Sequence, residues 1–383
     1  MYLWQRFTRF FGLRRLKSPV AGGLSPLTLG RSLRLLKRPI SLFLVGIGLS
    51  LAIASCSPSS TTESESTSGG EAASGPVELT LVSYAVTQAA YEQIIPLFNE
   101  QWKAEHDGQE VIFDQSYGGS GSQTRAVIDG LEADVVALAL ALDTKKIEEA
   151  GLIESGWEEE APNGSIVHSS VAALVTREGN PKAVQGWQDL TKEDVAVITA
   201  NPKTSGGARW NFLAMWGAIN QTGGDDAAAL DYVTQVYGNA PVLPKDAREA
   251  TDVFFKQGQG DVLINYENEV LLAKLNGEEL PYVIPDVNIS IDNPITVVDA
   301  NVDKHGTREV AEAFVQFLFT PEAQREFAKV GFRPVEESVK AEVANDYPEI
   351  KTLFTVDDFG GWDEIQAKFF DDGAVFDQIQ AGA

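Results

Sequence analysis

From residue 79 onward the chain alternates short apolar runs with amphipathic segments, and it does so in two successive blocks. In the first, "LTLVSYA" (79–85) reads as a strand and "YEQIIPLFNEQWKAE" (91–105) as a helix on which Ile94, Leu97, Phe98 and Trp102 share a face. Strands follow at "EVIFDQS" (110–116) and "ADVVALALA" (133–141), with helices from about Ser120 and Asp143. The second block reads "VAVIT" (195–199), a helix from Ser205, a strand at "APVLP" (240–244), a helix from about Ala247, the strand "DVLINY" (261–266) and the helix "NEVLLAKL" (268–275). Helices at 308–319 and 321–329 and an aromatic-rich tail complete the chain. Parallel strands need a crossover between them, usually a helix, so this alternation predicts α/β sheets flanked by helices.

Two stretches break the rhythm, "SIVHSSVAALVTREGNP" (165–181) and "YVIPDVNISIDNPITVVDAN" (282–301). Extended crossings between two like blocks predict two lobes with a cleft between them. The expected division is 78–166 plus 290–383 for the first lobe and 167–289 for the second, each with a mixed, mostly parallel sheet. Ligands in such folds bind at the carboxyl ends of strands, where helices begin.

The N-terminal residues do not join this pattern. Met1 to Pro39 carries nine Lys and Arg and no acid, and the apolar "ISLFLVGIGLSLAIAS" (40–55) follows. This is an export signal, and its apolar run falls short of the ~20 residues that span a bilayer. The run ends in "IASC" (53–56), which resembles the lipobox of bacterial lipoproteins, so Cys56, the sole cysteine, is expected to carry an acyl anchor. The alternative is a conventional cleavage after Ala54, since "AIA" also fits a small-x-small site. Residues 56–77 are rich in Ser, Thr, Glu and Gly and read as a flexible tether.

The 30 Lys and Arg less the nine in the leader leave 21 against 55 Asp and Glu, a net charge of −34 for the remainder. Such a surface repels nucleic acid and anionic membrane. Any anion it binds is held by local groups.

Local groups of the right kind stand at two strand-to-helix junctions. "NPKTSGGARW" (201–210) places Ser205, Gly206 and Gly207 at the opening of a helix, where backbone N–H groups are free and the dipole is positive. Glycine lets a ligand approach that backbone, and Ser205 can cap the helix or donate its hydroxyl to a ligand. "SYGGSGSQ" (116–123) repeats the composition, with Ser120 opening its helix. One such end in each lobe suits a small, highly charged anion.

Enzymatic readings find less support. "GGSGS" lacks the last glycine of a nucleophile elbow and the lysine of a P-loop, and "GSGSQT" matches only two glycines of the dinucleotide fingerprint. His106, His168 and His305 have no metal-ligand spacing, and no cofactor is expected. A secreted hydrolase using Ser120 or Ser205 would need a base that no motif supplies. The tail "FGGWDEIQAKFF" (359–370) reads as packing.

"DQSYGGSGSQ" (114–123), "NPKTSGGARWN" (201–211), "GQGDVLINYENEVLLA" (258–273) and "FGGWDEIQAKFFDDGAVFDQI" (359–379) together resemble the sulfate-binding protein family of bacterial ABC importers. The resemblance implies a two-lobed receptor of the periplasmic-binding-protein fold that closes on sulfate and delivers it to a membrane permease; a monomer is expected. By position it implies backbone N–H donors at Ala85, Ser120, Gly206, Gly207 and Ala247 and a hydroxyl donor at Ser205. It also implies a side-chain donor at Tyr266, where many members have tryptophan, and bracing roles for Arg209 and Arg248. Members often carry aspartate where Ala85 stands.

Sulfate is a fully deprotonated acceptor, so a pocket of donors satisfies all its oxygens, whereas the proton of hydrogenphosphate needs an acceptor. Tyr266 is the one implied donor that can also accept. Thiosulfate, molybdate and phosphate remain alternative ligands, and a membrane sensor remains an alternative partner for the fold.

Overall fold

The computed structural model describes residues 75–382, which belong to one compact unit. The export signal, Cys56 and the tether up to residue 74 lie outside the described residues. The chain enters its first strand, β1 (Val77–Tyr84), and continues through α1 (Gln88–Glu105), β2 (Val111–Gly118), α2 (Ser120–Ile128), β3 (Val135–Ala137) and α3 (Ala141–Glu149) to β4 (Ile166–Ser170). The second half of the fold holds β5 (Ala172–Thr176), β6 (Val197–Ile198), α4 (Gly206–Gln221), α5 (Asp226–Gly238), α6 (Ala247–Phe255), β7 (Val262–Tyr266), α7 (Glu267–Leu275) and β8 (Tyr282–Val283). The return runs through β9 (Val287–Ile289), β10 (Ile291–Val297), α8 (Asp299–His305), α9 (Arg308–Phe317), α10 (Pro321–Lys329), β11 (Arg333–Pro334), α11 (Glu337–Glu342) and β12 (Thr352–Phe354). Two short helices, α12 (Trp362–Ile365) and α13 (Val375–Gly382), flank a π-turn at Gln366–Phe370.

Two main sheets form, in strand order β11-β4-β10-β3-β1-β2 and β6-β7-β5-β8. β1 is apolar on both faces and buried on both: Leu79 and Leu81 pack into one core, Val82 into another with Val136 and Trp157. Within these two sheets, parallel pairing is confined to β1 with β2 and β3, and to β6 with β7. The sheets are therefore mixed without being mostly parallel, because the strands that carry the chain between lobes run antiparallel to their neighbours.

The crossings are tied side by side. The chain leaves the six-stranded sheet at Val171, beyond the expected boundary at 167, since β4 still pairs with β10 and β11. It returns at Ser290. At this point the Asn288 side chain bonds both backbone groups of Ala172, accepting from its N–H (3.1 Å) and donating to its carbonyl (2.8 Å).

Two further expectations change. The segment 240–244 forms no strand: Pro241 and Pro244 lack ladder donors, and the segment's Pro244 carbonyl accepts one bond, from Asn201 N–H (2.8 Å). The tail after 350 does not stay with the first lobe. β12 pairs with β9, and Phe369, Phe370 and Phe376 pack on Phe212 of α4, with Trp362 edge-on to Trp210. The aromatic face of α4 is too apolar to leave uncovered, and the tail covers it.

Candidate functional site

A small cavity, with about 10 Å³ open to the centre of a water-sized sphere, lies where the two lobes meet. Its lining comes from four chain turns, each a strand or loop entering a helix: Tyr84–Val86, Gly118–Ser120, Ser205–Gly207 and Asp246–Ala247. Ala139 and Tyr266 complete the wall. Ser120, Ser205 and Tyr266 are 1, 2 and 1% exposed, so a ligand reaches this cavity only when the lobes part.

The helix caps decide which amides are free. In α4, Ser205 Oγ accepts from the third-position amide, Ala208 N–H (3.3 Å). In α6, the Asp246 carboxylate does the same for Glu249 N–H (2.8 Å). In α2 the Gly119 carbonyl takes both Ser122 and Gln123 N–H groups. The first two amides of each helix have no intrahelical acceptor. They belong to Gly206 and Gly207, to Ala247 and Arg248, and to Ser120 and Gly121. The short 3-10 turn Ala85–Thr87 adds a fourth opening at the same wall. Three α-helix N-termini thus converge on one cavity, an arrangement suited to a compact anion.

Close approach explains the glycines. A Cβ on Gly119 would meet the Thr204 carbonyl oxygen at 2.5 Å, across the seam between lobes. One on Gly206 would meet Ala139 Cβ at 2.6 Å and Leu140 Cδ2 at 2.8 Å, again across the seam. One on Gly207 would strike the Tyr266 ring at 2.7 Å.

The site's polar side chains fall into two assemblies, each built on a buried carboxylate. Ser120 Oγ donates to Asp143 Oδ2 (2.6 Å) and accepts from Ala139 N–H (3.0 Å), so its hydroxyl is spent and its amide alone faces the cavity. Asp143 Oδ1 accepts from Arg209 Nη1 (3.2 Å), whose Nε donates to the Pro202 carbonyl (2.9 Å). This pair crosses from α3 to α4, and the bond from Trp210 Nε1 to the Ala139 carbonyl (2.7 Å) joins α4 to the turn that precedes α3. On the other side, Arg248 grips Glu269 through Nε (3.1 Å) and Nη2 (2.8 Å), and Thr251 Oγ1 donates to the same carboxylate (2.7 Å). Burial pushes the Glu269 carboxyl up, and Arg248 opposes that rise. Both arginines point away from the ligand space: among the described residues, no Lys or Arg lines the cavity.

Tyr266 lies at the wall with its hydroxyl unpartnered, as does Tyr84. Burial raises both phenols well above their ordinary range, so each keeps its proton. Sequence reading missed Tyr84, Asp246 and Asp143. For Asp246 a signal existed, since Asp246 and Glu249 have capping-box spacing and Lys245 N–H bonds Glu249 Oε2 (2.8 Å).

Neither serine has a catalytic neighbour. The partner of Ser120 is a carboxylate already paired with arginine, and among the described residues neither Ser120 nor Ser205 bonds an imidazole. The histidines lie apart: His106 stacks on Trp102, His168 is buried at β4, and His305 binds Glu132 and Asp134. No cluster of three or more His, Cys, Asp or Glu able to hold a metal occurs among the described residues.

Residues 79–333 match the family model described as bacterial extracellular solute-binding protein. The chain is 64% identical over 315 residues to a sulfate-binding protein of Synechococcus elongatus, covering 82% of this chain and 89% of the relative. It is 62% identical over 312 residues to one of Synechocystis sp., covering 81% and 88%. Among solved structures, the sulfate-binding protein SubI of Mycobacterium tuberculosis superposes with a TM-score of 0.71 at 36% identity, over 77% of this chain and all of that one.

Proposed function

The chain belongs to the bacterial extracellular solute-binding proteins, in the branch of the sulfate-binding proteins, and from that premise we propose that it captures sulfate outside the cytoplasm for delivery to the permease of an ABC importer. It is a receptor, not an enzyme. The observation that carries the reading is the convergence of three helix openings on an enclosed cavity with no cationic side chain in its wall.

In this proposal the oxygens of sulfate accept from the amides of Ala85, Ser120, Gly206, Gly207 and Ala247, from Ser205 Oγ–H and from Tyr266 Oη–H. The dipoles are aligned before the ligand arrives, so they replace its hydration without reorganising. Distant carboxylates count for little, because exposed charges are screened over ~8–10 Å. Asp143–Arg209 and Glu269–Arg248 hold α2, α4 and α6 in place around the anion. The receptor is exported, anchored through an acylated Cys56, and works as a monomer.

Calorimetric titration of the exported protein with sulfate, thiosulfate, molybdate and phosphate tests the ligand. Gly206→Asp should abolish sulfate binding, whereas removing a remote exposed acid, Glu100→Gln, should leave it intact. Preference for another of the four anions overturns the sulfate assignment, and equal affinities in the two variants overturn the helix-opening mechanism. Release from membranes on Cys56→Ala tests the anchor.

A further inference from the structure

The wall residue Tyr266 ends a strand of the second lobe, yet the helix turn that follows it is fastened to the first. Tyr266 pairs with Ala172 across the β5–β7 ladder, and the next amide, Glu267 N–H, donates to the Val171 carbonyl (2.9 Å) at the crossing. Glu267 opens α7, and its carboxylate is taken by Arg333 of β11 through Nε (2.7 Å) and Nη2 (3.0 Å). β11 is an edge strand of the six-stranded sheet, where Arg333 pairs with Ser169. A second tie lies one residue further on: Ser170 Oγ donates to Asn268 Oδ1 (3.2 Å). The two surfaces fit closely, since a Cβ on Gly331 would meet Leu271 Cβ at 2.7 Å and Asn268 Cα at 3.0 Å.

The Glu267–Arg333 pair is rigid from both ends. The Glu267 side chain is 1% exposed, and burial pushes its carboxyl up while Arg333 opposes the rise. A two-armed grip of guanidinium on carboxylate fixes direction as well as distance. Arg333 is itself held, because Nη2 also donates to the Pro348 carbonyl (3.2 Å) and the guanidinium lies 5.0 Å over the Tyr347 ring. The Tyr347 hydroxyl in turn donates to the Phe332 carbonyl (2.6 Å). Neither Glu267 nor Arg333 lines the ligand cavity. Tyr266 does, and its hydroxyl has no partner, so nothing at the tip of the phenol fixes its place. That place is inherited from the backbone and from ring packing on Tyr84, with centroids 6.0 Å apart. A donor that must meet a ligand oxygen to within ~0.5 Å depends on support of this kind.

We propose that Arg333 is a positioning residue for anion capture: from the first lobe it grips Glu267, fixes the start of α7 and thereby aims the Tyr266 hydroxyl of the second lobe into the cavity. The proposal rests on the anion-receptor reading above, in which that hydroxyl donates to the anion. Arg333 brings no net charge to the ligand, since Glu267 consumes it. Its influence on affinity therefore passes through Tyr266 alone, which distinguishes it from a residue that merely holds the fold together.

The test is calorimetric titration of sulfate into the exported protein and into Tyr266→Phe, each with and without the paired replacement Glu267→Met/Arg333→Met. Replacing both partners strands no buried charge, and ligand-free thermal unfolding verifies the fold. Tyr266→Phe should weaken sulfate binding by about tenfold or more, the loss of one hydrogen bond to a charged acceptor. The methionine pair should weaken binding by about fivefold or more when Tyr266 is present, and by less than about twofold when phenylalanine replaces it. Arg333→Lys makes the same comparison with the charge kept and the two-armed grip lost. Its loss should be smaller and should likewise vanish in the Tyr266→Phe protein. Equal factors of loss in both backgrounds, or no loss from either replacement, overturn the positioning role. Tyr266→Phe with unchanged sulfate affinity overturns it as well, while the receptor stands. Failure of sulfate to bind the unmodified protein overturns the receptor reading instead.

Discussion

Gly206→Ala should separate closure from folding. The added Cβ would lie 2.6 Å from Ala139 Cβ, 2.8 Å from Leu140 Cδ2 and 3.1 Å from Ser120 Cβ. Carbon pairs prefer about 3.5–4.0 Å, so the seam must open by about 1 Å. All three atoms belong to the first lobe, whereas Gly206 opens a helix of the second. The clash therefore arises on closing. Overpacking of this kind costs ~1–3 kcal/mol, and at 1.4 kcal/mol per tenfold that weakens binding by about 5- to 140-fold. In an opened form, which the closure argument requires, the clash is absent, and replacing glycine with alanine in a helix gains ~0.4–1 kcal/mol from the unfolded side. Calorimetry should thus show weaker sulfate binding while ligand-free thermal unfolding is unchanged or shifted slightly upward. Affinity within twofold of the unmodified protein would refute the closure argument, and a ligand-free midpoint several degrees lower would show that the glycine serves folding instead.

Asp143→Ala should lower stability in saturating sulfate by about 3–5 kcal/mol in urea titration, because it strands the Arg209 charge and the Ser120 proton in a buried seam. Gly217→Ala should detach the aromatic tail at a cost of ~1–3 kcal/mol, since its Cβ would collide with the Phe354 ring, and limited proteolysis should then cut the tail first. The His305 ring is held by Glu132 and Asp134, which raise its pKa above 6.5. A pKa raised in the folded state gives stability that is complete below about pH 6.5 and lost as pH rises through the folded value, so His305→Ala should flatten the pH dependence of the unfolding midpoint above that point.

The alternation of strands and helices was readable because hydrophobic period is a local property, as the apolar face of α1 and the doubly buried β1 illustrate. The helix openings at Ser120 and Ser205 were readable for the same reason: caps and glycines act within one turn. What escaped depends on contacts distant in sequence. The tail's move onto α4 follows from Phe212 and Trp216 needing cover, which no segment of the tail announces. β4 stays in the first sheet because β10 and β11 flank it, although its sequence runs on into β5 without a break. Tyr84 reads as the last residue of an apolar strand, and its proximity to Tyr266 exists only after the lobes meet.

The same distinction bears on how a chain carrying a large excess of acid would hold the proposed dianion. The two arginines nearest the cavity are each consumed by a buried carboxylate, Arg209 by Asp143 and Arg248 by Glu269, so neither brings net charge to the site. A site with two bare guanidinium groups would attract any anion and would hold its own helices apart by repulsion when empty. Neutral pairs avoid both effects and still fix the helices through directional bonds. On the proposed reading, attraction is left to amides that act over a few ångströms and in fixed directions. Such a site reads the number and placement of acceptor oxygens, and it stays intact between one ligand and the next because nothing in it requires the ligand's charge for balance.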